Sequence, residues 1–248
     1  MNAIYILWLR QLIRYFRSKS RIIGSLAQPL LFLLALGFGF GPIYSKAGGG
    51  NYIQFLVPGI VGMSIMFTAV FSGIEMIWDR KFGFLKETMV APVSRFSIML
   101  GRILGGATVA TLQGVLVMII SMFIGFRPTN WLLVIPAILV MFMIALIFTT
   151  LGTAIASAME DMQGFQLIVN FLIMPMFFLS GALFPLTGLP TVVADIAMID
   201  PLTYGVDALR ATLLGASHLG LSLNIIVTAG IMVVLLGIGS ILFSRMEA

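Results

Sequence analysis

Residues 75–102, EMIWDRKFGFLKETMVAPVSRFSIMLGR, decide how the rest of the chain is read. Five basic residues (Arg80, Lys81, Lys86, Arg95, Arg102) and three acids (Glu75, Asp79, Glu87) fall within these 28 positions, between two long apolar runs. Hydrocarbon does not tolerate a charged island of this length. The island therefore predicts a segment on one side of a membrane, with a span leading into it and another leading out.

Composition agrees. Of 248 residues, 60% are hydrophobic and 9% charged, where a soluble domain carries roughly a quarter charged residues. The apolar runs are continuous over about 20 residues, the length of a helical span, and lack the ~10-residue alternation of a membrane barrel. The expected fold is an all-α polytopic membrane protein. Its six spans fall at about 22–40, 52–77, 103–124, 131–156, 165–184 and 225–243, with long connections at 78–102 and 185–224.

The first 21 residues predict an amphipathic interfacial helix. Arg10, Arg14, Arg17 and Arg21 are spaced four, three and four apart and share one face, with Tyr5, Trp8, Leu12, Tyr15 and Phe16 opposite. Such a helix lies in the headgroup layer. The opening has no short apolar core followed by a small-residue site, so a cleaved signal peptide is not expected. In the first span Gln28-Pro29 predicts a kink. The third opens on Gly105, Gly106, Ala107 and Thr108, small residues that let helices approach.

Orientation follows from the basic residues. Eleven (Arg10, Arg14, Arg17, Lys19, Arg21, the island's five and Arg245) fall on one side, against three (Lys46, Arg127, Arg210) on the other. Both termini and the island are expected in the cytoplasm. The segment 185–224 is then extracytoplasmic. Within it 191–199 and 203–214 predict short helices, the second introduced by Asp200-Pro201 and ended by Gly215. Neither is long enough to span, so both are expected to dip into the outer leaflet.

The sequence offers no support for catalysis. There is no cysteine, and the single histidine, His218, has no second imidazole for a metal site. None of the four lysines follows a glycine, so no phosphate-binding loop exists, and no ATP, Mg or other cofactor is expected on this chain. Net charge is +5, placed beside spans, which favours anionic lipids over nucleic acid. An ion-coupled secondary transporter is one alternative, disfavoured by the absence of a relay of intramembrane acids. A membrane assembly subunit without transport activity is another.

The residues Glu75, Trp78-Asp79-Arg80, Gly83, Lys86-Glu87, Pro92 and Gly101-Arg102 resemble the cytosolic segment of type-2 ABC transporter permeases. FLIMPMFFLSGALFPLTGLP (171–190), followed by DPLTYGVDALRATLLG (200–215), shares that resemblance, which extends over almost the whole chain. In size and pattern the chain is similar to members linked to drug or lipo-oligosaccharide export. The resemblance implies a permease dimer, most simply a homodimer, above two cytosolic ATPase subunits that bind ATP and Mg. It implies a coupling helix within 80–91, before Pro92, a second contact surface on the N-terminal helix, and an outer gate within 185–215.

On this sequence Phe82, Phe84, Leu85 and Met89 would then form an apolar plug for a groove on the ATPase. Lys81, Lys86 and Glu87 would set its register, with Arg80 in the same ATPase-coupling set. Pro185, Gly188, Asp200 and Pro201 would shape the gate. The expected function is export of an amphipathic, drug-like or lipid-linked substrate from the cytoplasm across a prokaryotic inner membrane.

Overall fold

A computed structural model describes residues 3–48, 50–90, 92–188 and 190–244, and within these it describes the backbone but not the side chains of Leu85, Lys86, Met89 and Ser244. The described chain is helical throughout, with no strand. In order it forms α1 (Ala3–Arg17), α2 (Lys19–Lys46), α3 (Tyr52–Phe71), α4 (Ile74–Lys81), α5 (Phe84–Val90) and α6 (Arg95–Ile124). A 3-10 turn at Trp131–Leu133 leads into α7 (Val134–Ser157). There follow α8 (Met162–Leu179), α9 (Thr191–Ile199), α10 (Pro201–Leu214) and α11 (Leu221–Ser244). Among the described residues six helices, with α3 and α4 counted as one, are long and apolar enough to cross a membrane. This is a multi-pass, all-α membrane protein.

The bundle is built around α3, where every residue from 56 to 66 is buried. Glycine makes that crowding possible. A Cβ at Gly59 would lie 2.2 Å from the carbonyl oxygen of Ala182, and one at Gly73 would lie 2.4 Å from that of Gly152. Backbones therefore touch directly at both ends of α3, the close approach that small residues permit between membrane helices. Outer helices are apolar on their free faces. Leu31 and Phe38 on α2, Leu167 and Phe171 on α8, and Val233 and Val234 on α11 are all exposed.

Helix ends follow local chemistry. Asn51, Ser94 and Asp161 each accept a backbone N–H in the first turn of α3, α6 and α8. Asp200 caps α10 by accepting from Leu202 N, Pro201 stands at the first helical position, and Gly215 ends the helix at φ 69°. The second span is interrupted at Ser72-Gly73, so its last two turns form the separate helix α4. The fifth is shorter than its apolar run, because Ser180 and Gly181 (φ +71°) turn the chain after Leu179.

The N-terminal element differs from one continuous helix over 1–21. Ser18 leaves helical geometry, so Arg21 belongs to the first turn of α2 and not to α1. Nor does α1 lie free on a surface. Position 101 of α6 meets Ile4 and Leu7, and position 105 meets Trp8 and Gln11. Trp8 Nε1 donates to Thr108 Oγ1 at 3.0 Å, and Tyr15 OH donates to Gln113 Oε1 at 2.7 Å. Residue numbers rise together, so α1 runs parallel to the first half of α6. With 30 residues, α6 is about 45 Å long. That exceeds the ~30 Å of a hydrocarbon core and leaves its first turns to accompany α1 at the island end.

Candidate functional site

At the island end the residues of α4 meet α1, α2 and α6. Glu75 and Asp79 are four apart and share one helical face, and both are buried, with 7% and 4% of their surface exposed. Asp79 accepts a two-pronged pair of hydrogen bonds from Arg10, at 2.8 and 2.9 Å, and a third from Arg102 Nη2 at 2.6 Å. Glu75 accepts from Arg14 Nη1 at 3.2 Å and from Arg21 Nη1. Arg14 Nη2 also lies 3.7 Å from Asp79. Planar guanidiniums suit this task, since a fork fixes both angle and distance.

Arg10 makes one further contact. Its guanidinium carbon lies 3.8 Å from the centroid of the Phe84 ring on α5. One side chain thus joins α1, the end of the second span and the short helix of the island. On the far side of α4, Arg80 Nη1 donates to the carbonyl of Met159 at 3.3 Å, reaching the link between α7 and α8.

The predicted coupling residues separate into two groups. Phe84 is half-buried under Arg10, whereas Phe82 is 71% exposed and packs at a tilt of 36° against the half-exposed Trp78, with ring centroids 5.5 Å apart. Lys81 and Glu87 are exposed, and Arg80 points inward to Met159. The side chains of Leu85, Lys86 and Met89 lie outside the described residues. Between α4 and α5, Gly83 takes φ +79°, a left-handed turn that a side chain would strain. Of the N-terminal residues, Arg10, Arg14 and Arg21 face carboxylates, Arg17 is exposed, and Trp8 is held against α6.

The opposite end carries a second polar constellation. Arg210 on α10 donates to the carbonyls of Gly181 and Ala182, at 2.7 and 3.2 Å, and its guanidinium carbon lies 3.9 Å from the Phe55 ring centroid. Burial pushes Arg210 down to about 10, which still leaves it cationic at neutral pH. Asp207 accepts from Ser217 Oγ, His218 N, Leu219 N and Asn224 Nδ2, all within 2.8–2.9 Å. Burial alone would raise its carboxyl, but these donors hold it below the usual carboxylate range.

Asp200 is different: burial pushes its carboxyl up to about 7 against the single Leu202 N–H, and Oδ2 has no partner. Of the other predicted gate residues, Pro185 borders a cavity of about 260 Å³ with Phe55, Asp207 and Arg210. Pro201 starts α10, and Gly188 is an exposed turn residue at φ +83°.

Asp207 and Arg210 are functional candidates that the sequence did not single out. The available signal was their type, since each is a charged residue set within an apolar stretch that is costly to bury without a partner.

The sequence signature of the ABC-2 type transporter family matches residues 2–214. Nodulation protein J of Rhizobium leguminosarum bv. viciae is 30% identical over 221 residues, which cover 88% of this chain and 85% of that protein. Its counterpart from Rhizobium leguminosarum bv. trifolii is 32% identical over 211 residues, 84% of this chain and 80% of the relative. A protein named as a transport permease, ycf38 of Cyanophora paradoxa, is 28% identical over 217 residues, 85% and 73% of the two chains. With its six apolar helices, charged island and short paired helices near the opposite end, the chain belongs to the ABC-2 type transporter family as a transport permease subunit.

Proposed function

We propose that this chain is the permease subunit of an ATP-driven exporter in a prokaryotic inner membrane, with both termini and the island in the cytoplasm. ATP and Mg bind a separate cytosolic ATPase subunit, and a second copy of the permease completes the translocation unit. Cargo is amphipathic, drug-like or lipid-linked. Membrane lipids surround the unit, and nucleic acid plays no part.

The observation that carries this reading is the double engagement of Arg10, with Asp79 on one side and Phe84 on the other. In this account α5 is the coupling helix. The exposed Phe82, backed by Trp78, enters a groove on the ATPase, and Lys81 and Glu87 at its rim set the register. When ATP draws the ATPase subunits together, α5 is displaced. Arg10 transmits that displacement to Asp79 at the end of the second span and, through Asp79, to Arg102 at the start of the third. The segment around Pro185, Gly188, Asp200 and Pro201 serves as the outer gate, held shut by the Arg210 contacts to Gly181 and Ala182.

Purification of the tagged protein in mild detergent from its native cells tests the assignment. A P-loop ATPase should co-purify stoichiometrically and hydrolyse ATP. A chain that purifies without any ATPase would favour the secondary-transporter alternative instead.

A further inference from the structure

Between α2 and α3, in the island half of the bundle, lies a cavity of about 180 Å³ whose lining includes Arg21, Ser25, Gln28, Ser64 and Thr68. Ser25 Oγ already donates to the Ile22 carbonyl at 3.0 Å, which leaves Arg21, Gln28, Ser64 and Thr68 as an unusual donor set for a place beside two membrane spans. Ser64 Oγ is buried, at 2% exposure of its residue, and has no hydrogen-bond partner. In hydrocarbon such an orphan is costly, because no bulk water can satisfy it. Gln28 adds a second polar group, exposed on the outer helix α2, where an amide facing lipid carries the same cost.

Charge decides what this donor set prefers. Arg21 borders the cavity while one of its Nη groups engages Glu75. In the adjoining cluster four guanidiniums (Arg10, Arg14, Arg21, Arg102) meet two carboxylates (Glu75, Asp79), an excess of two positive charges. A cation, hydroxyls and an amide around a small volume suit an oxyanion better than a neutral or cationic group. Met63, Phe67 and Phe71 supply apolar walls on the α3 side. Polar head and apolar flank together describe one end of an amphiphile.

We infer that this cavity binds the phosphate-type headgroup of an anionic amphiphile from the island-side leaflet, with Arg21 and Gln28 as ligands and the sealed Ser64 hydroxyl turning into the cavity to join them. The site needs no ATPase to exist. Only its assignment to cargo, and not to a resident lipid, rests on the export reading above.

The test uses the purified full-length protein and three probes: dioctanoyl phosphatidic acid, dioctanoyl phosphatidylcholine and inorganic phosphate. Binding is read by native mass spectrometry and by the shift in thermal midpoint. Phosphatidic acid should bind at one per chain, and phosphatidylcholine should not compete. Ser64→Ala should weaken phosphatidic acid binding by about tenfold, the worth of one hydrogen bond to a charged group. The same variant, freed of its orphan hydroxyl, should melt no lower than wild type without ligand. Gln28→Leu should also weaken binding. Unchanged affinity in both variants, equal binding of phosphatidylcholine, or binding of inorganic phosphate as tight as that of the amphiphile would overturn the proposal.

In the ATPase complex, phosphatidic acid that stimulates hydrolysis in wild type but not in Ser64→Ala would assign the headgroup to cargo. Binding that leaves hydrolysis unchanged would assign it to a resident lipid, with the site itself upheld. Because the binding arm is run on the permease alone, failure to find an ATPase leaves it readable.

Discussion

The guanidinium of Arg10 lies 3.8 Å from the centroid of the Phe84 ring while its two Nη groups hold the carboxylate of Asp79 at 2.8 and 2.9 Å. A residue from the N-terminal helix thereby links the short island helix to the acid that ends the second span. Replacing Arg10 with lysine should remove both properties at once, because an ammonium offers neither a planar fork nor a stacking face. Loss of the paired bonds is expected to cost about 1.5–3 kcal/mol, read as a lower thermal midpoint in detergent. The ATPase should remain bound, since Phe82 is untouched.

Asp79 is the more demanding position. Asp79→Asn leaves Arg102, 5% exposed, without its counter-charge, and breaking a buried pair in this way costs about 3–5 kcal/mol. The expected result is poor accumulation in the membrane. Because the cost lies in the orphaned charge, adding Arg102→Met should restore part of the yield. Equal loss in the single and double variants would show that the pairing matters less than the packing.

The packing of α1 along α6 can be tested by chemistry that the chain itself lacks. It contains no cysteine, so introduced thiols meet only one another. A Cβ at position 101 would lie 3.0 Å from Leu7 Cβ and 2.9 Å from the Ile4 carbonyl oxygen, so α1 moves outward by about 0.5–1 Å to reach the ~3.5–4.5 Å of a disulfide. Leu7→Cys with Gly101→Cys should cross-link under mild oxidation. Thiols that stay free would mean α1 rests elsewhere on the membrane surface.

Asp200 should make the corner between α9 and α10 sensitive to pH. Burial holds its folded value at about 7, above the ordinary carboxylate value of 3.8. Between these limits the unfolded state has lost the proton that the folded state keeps, so stability falls as pH rises from about 4 to about 7 and then levels. Protection of the first-turn amides of α10, corrected for the base catalysis of exchange itself, should fall over that range. Asparagine also caps helices, so Asp200→Asn should keep the turn and abolish the pH dependence.

Much of this architecture was legible in the sequence because it rests on local signals. Uninterrupted apolar runs place the spans, and Asp200-Pro201 with Gly215 brackets α10 through capping chemistry that involves only neighbouring residues. The partners of the charged residues were not legible in the same way. Along the sequence Glu75 and Asp79 stand nearest to Arg80 and Lys81. Helical geometry instead turns Arg80 away toward Met159, and the acids find Arg10, Arg14 and Arg21, which are 54 to 69 residues distant, and Arg102.

The aromatic residues divide for the same reason. Spacing alone makes Phe82 and Phe84 equivalent, whereas tertiary contact covers Phe84 with Arg10 and leaves Phe82 exposed. A break such as Ser18, which moves Arg21 from α1 onto α2, has no strong signature in a run of polar residues.

The central claim is that motion of α5 reaches the spans through Arg10. Hydrogen exchange on the permease–ATPase complex in lipid nanodiscs, with and without trapping by ATP and vanadate, tests it without knowledge of the cargo. In wild type, trapping should alter protection in α5, α1 and α4 together. In Arg10→Gln the change should persist in α5 and vanish from α1 and α4. Identical responses of α1 and α4 in the two proteins would contradict the account.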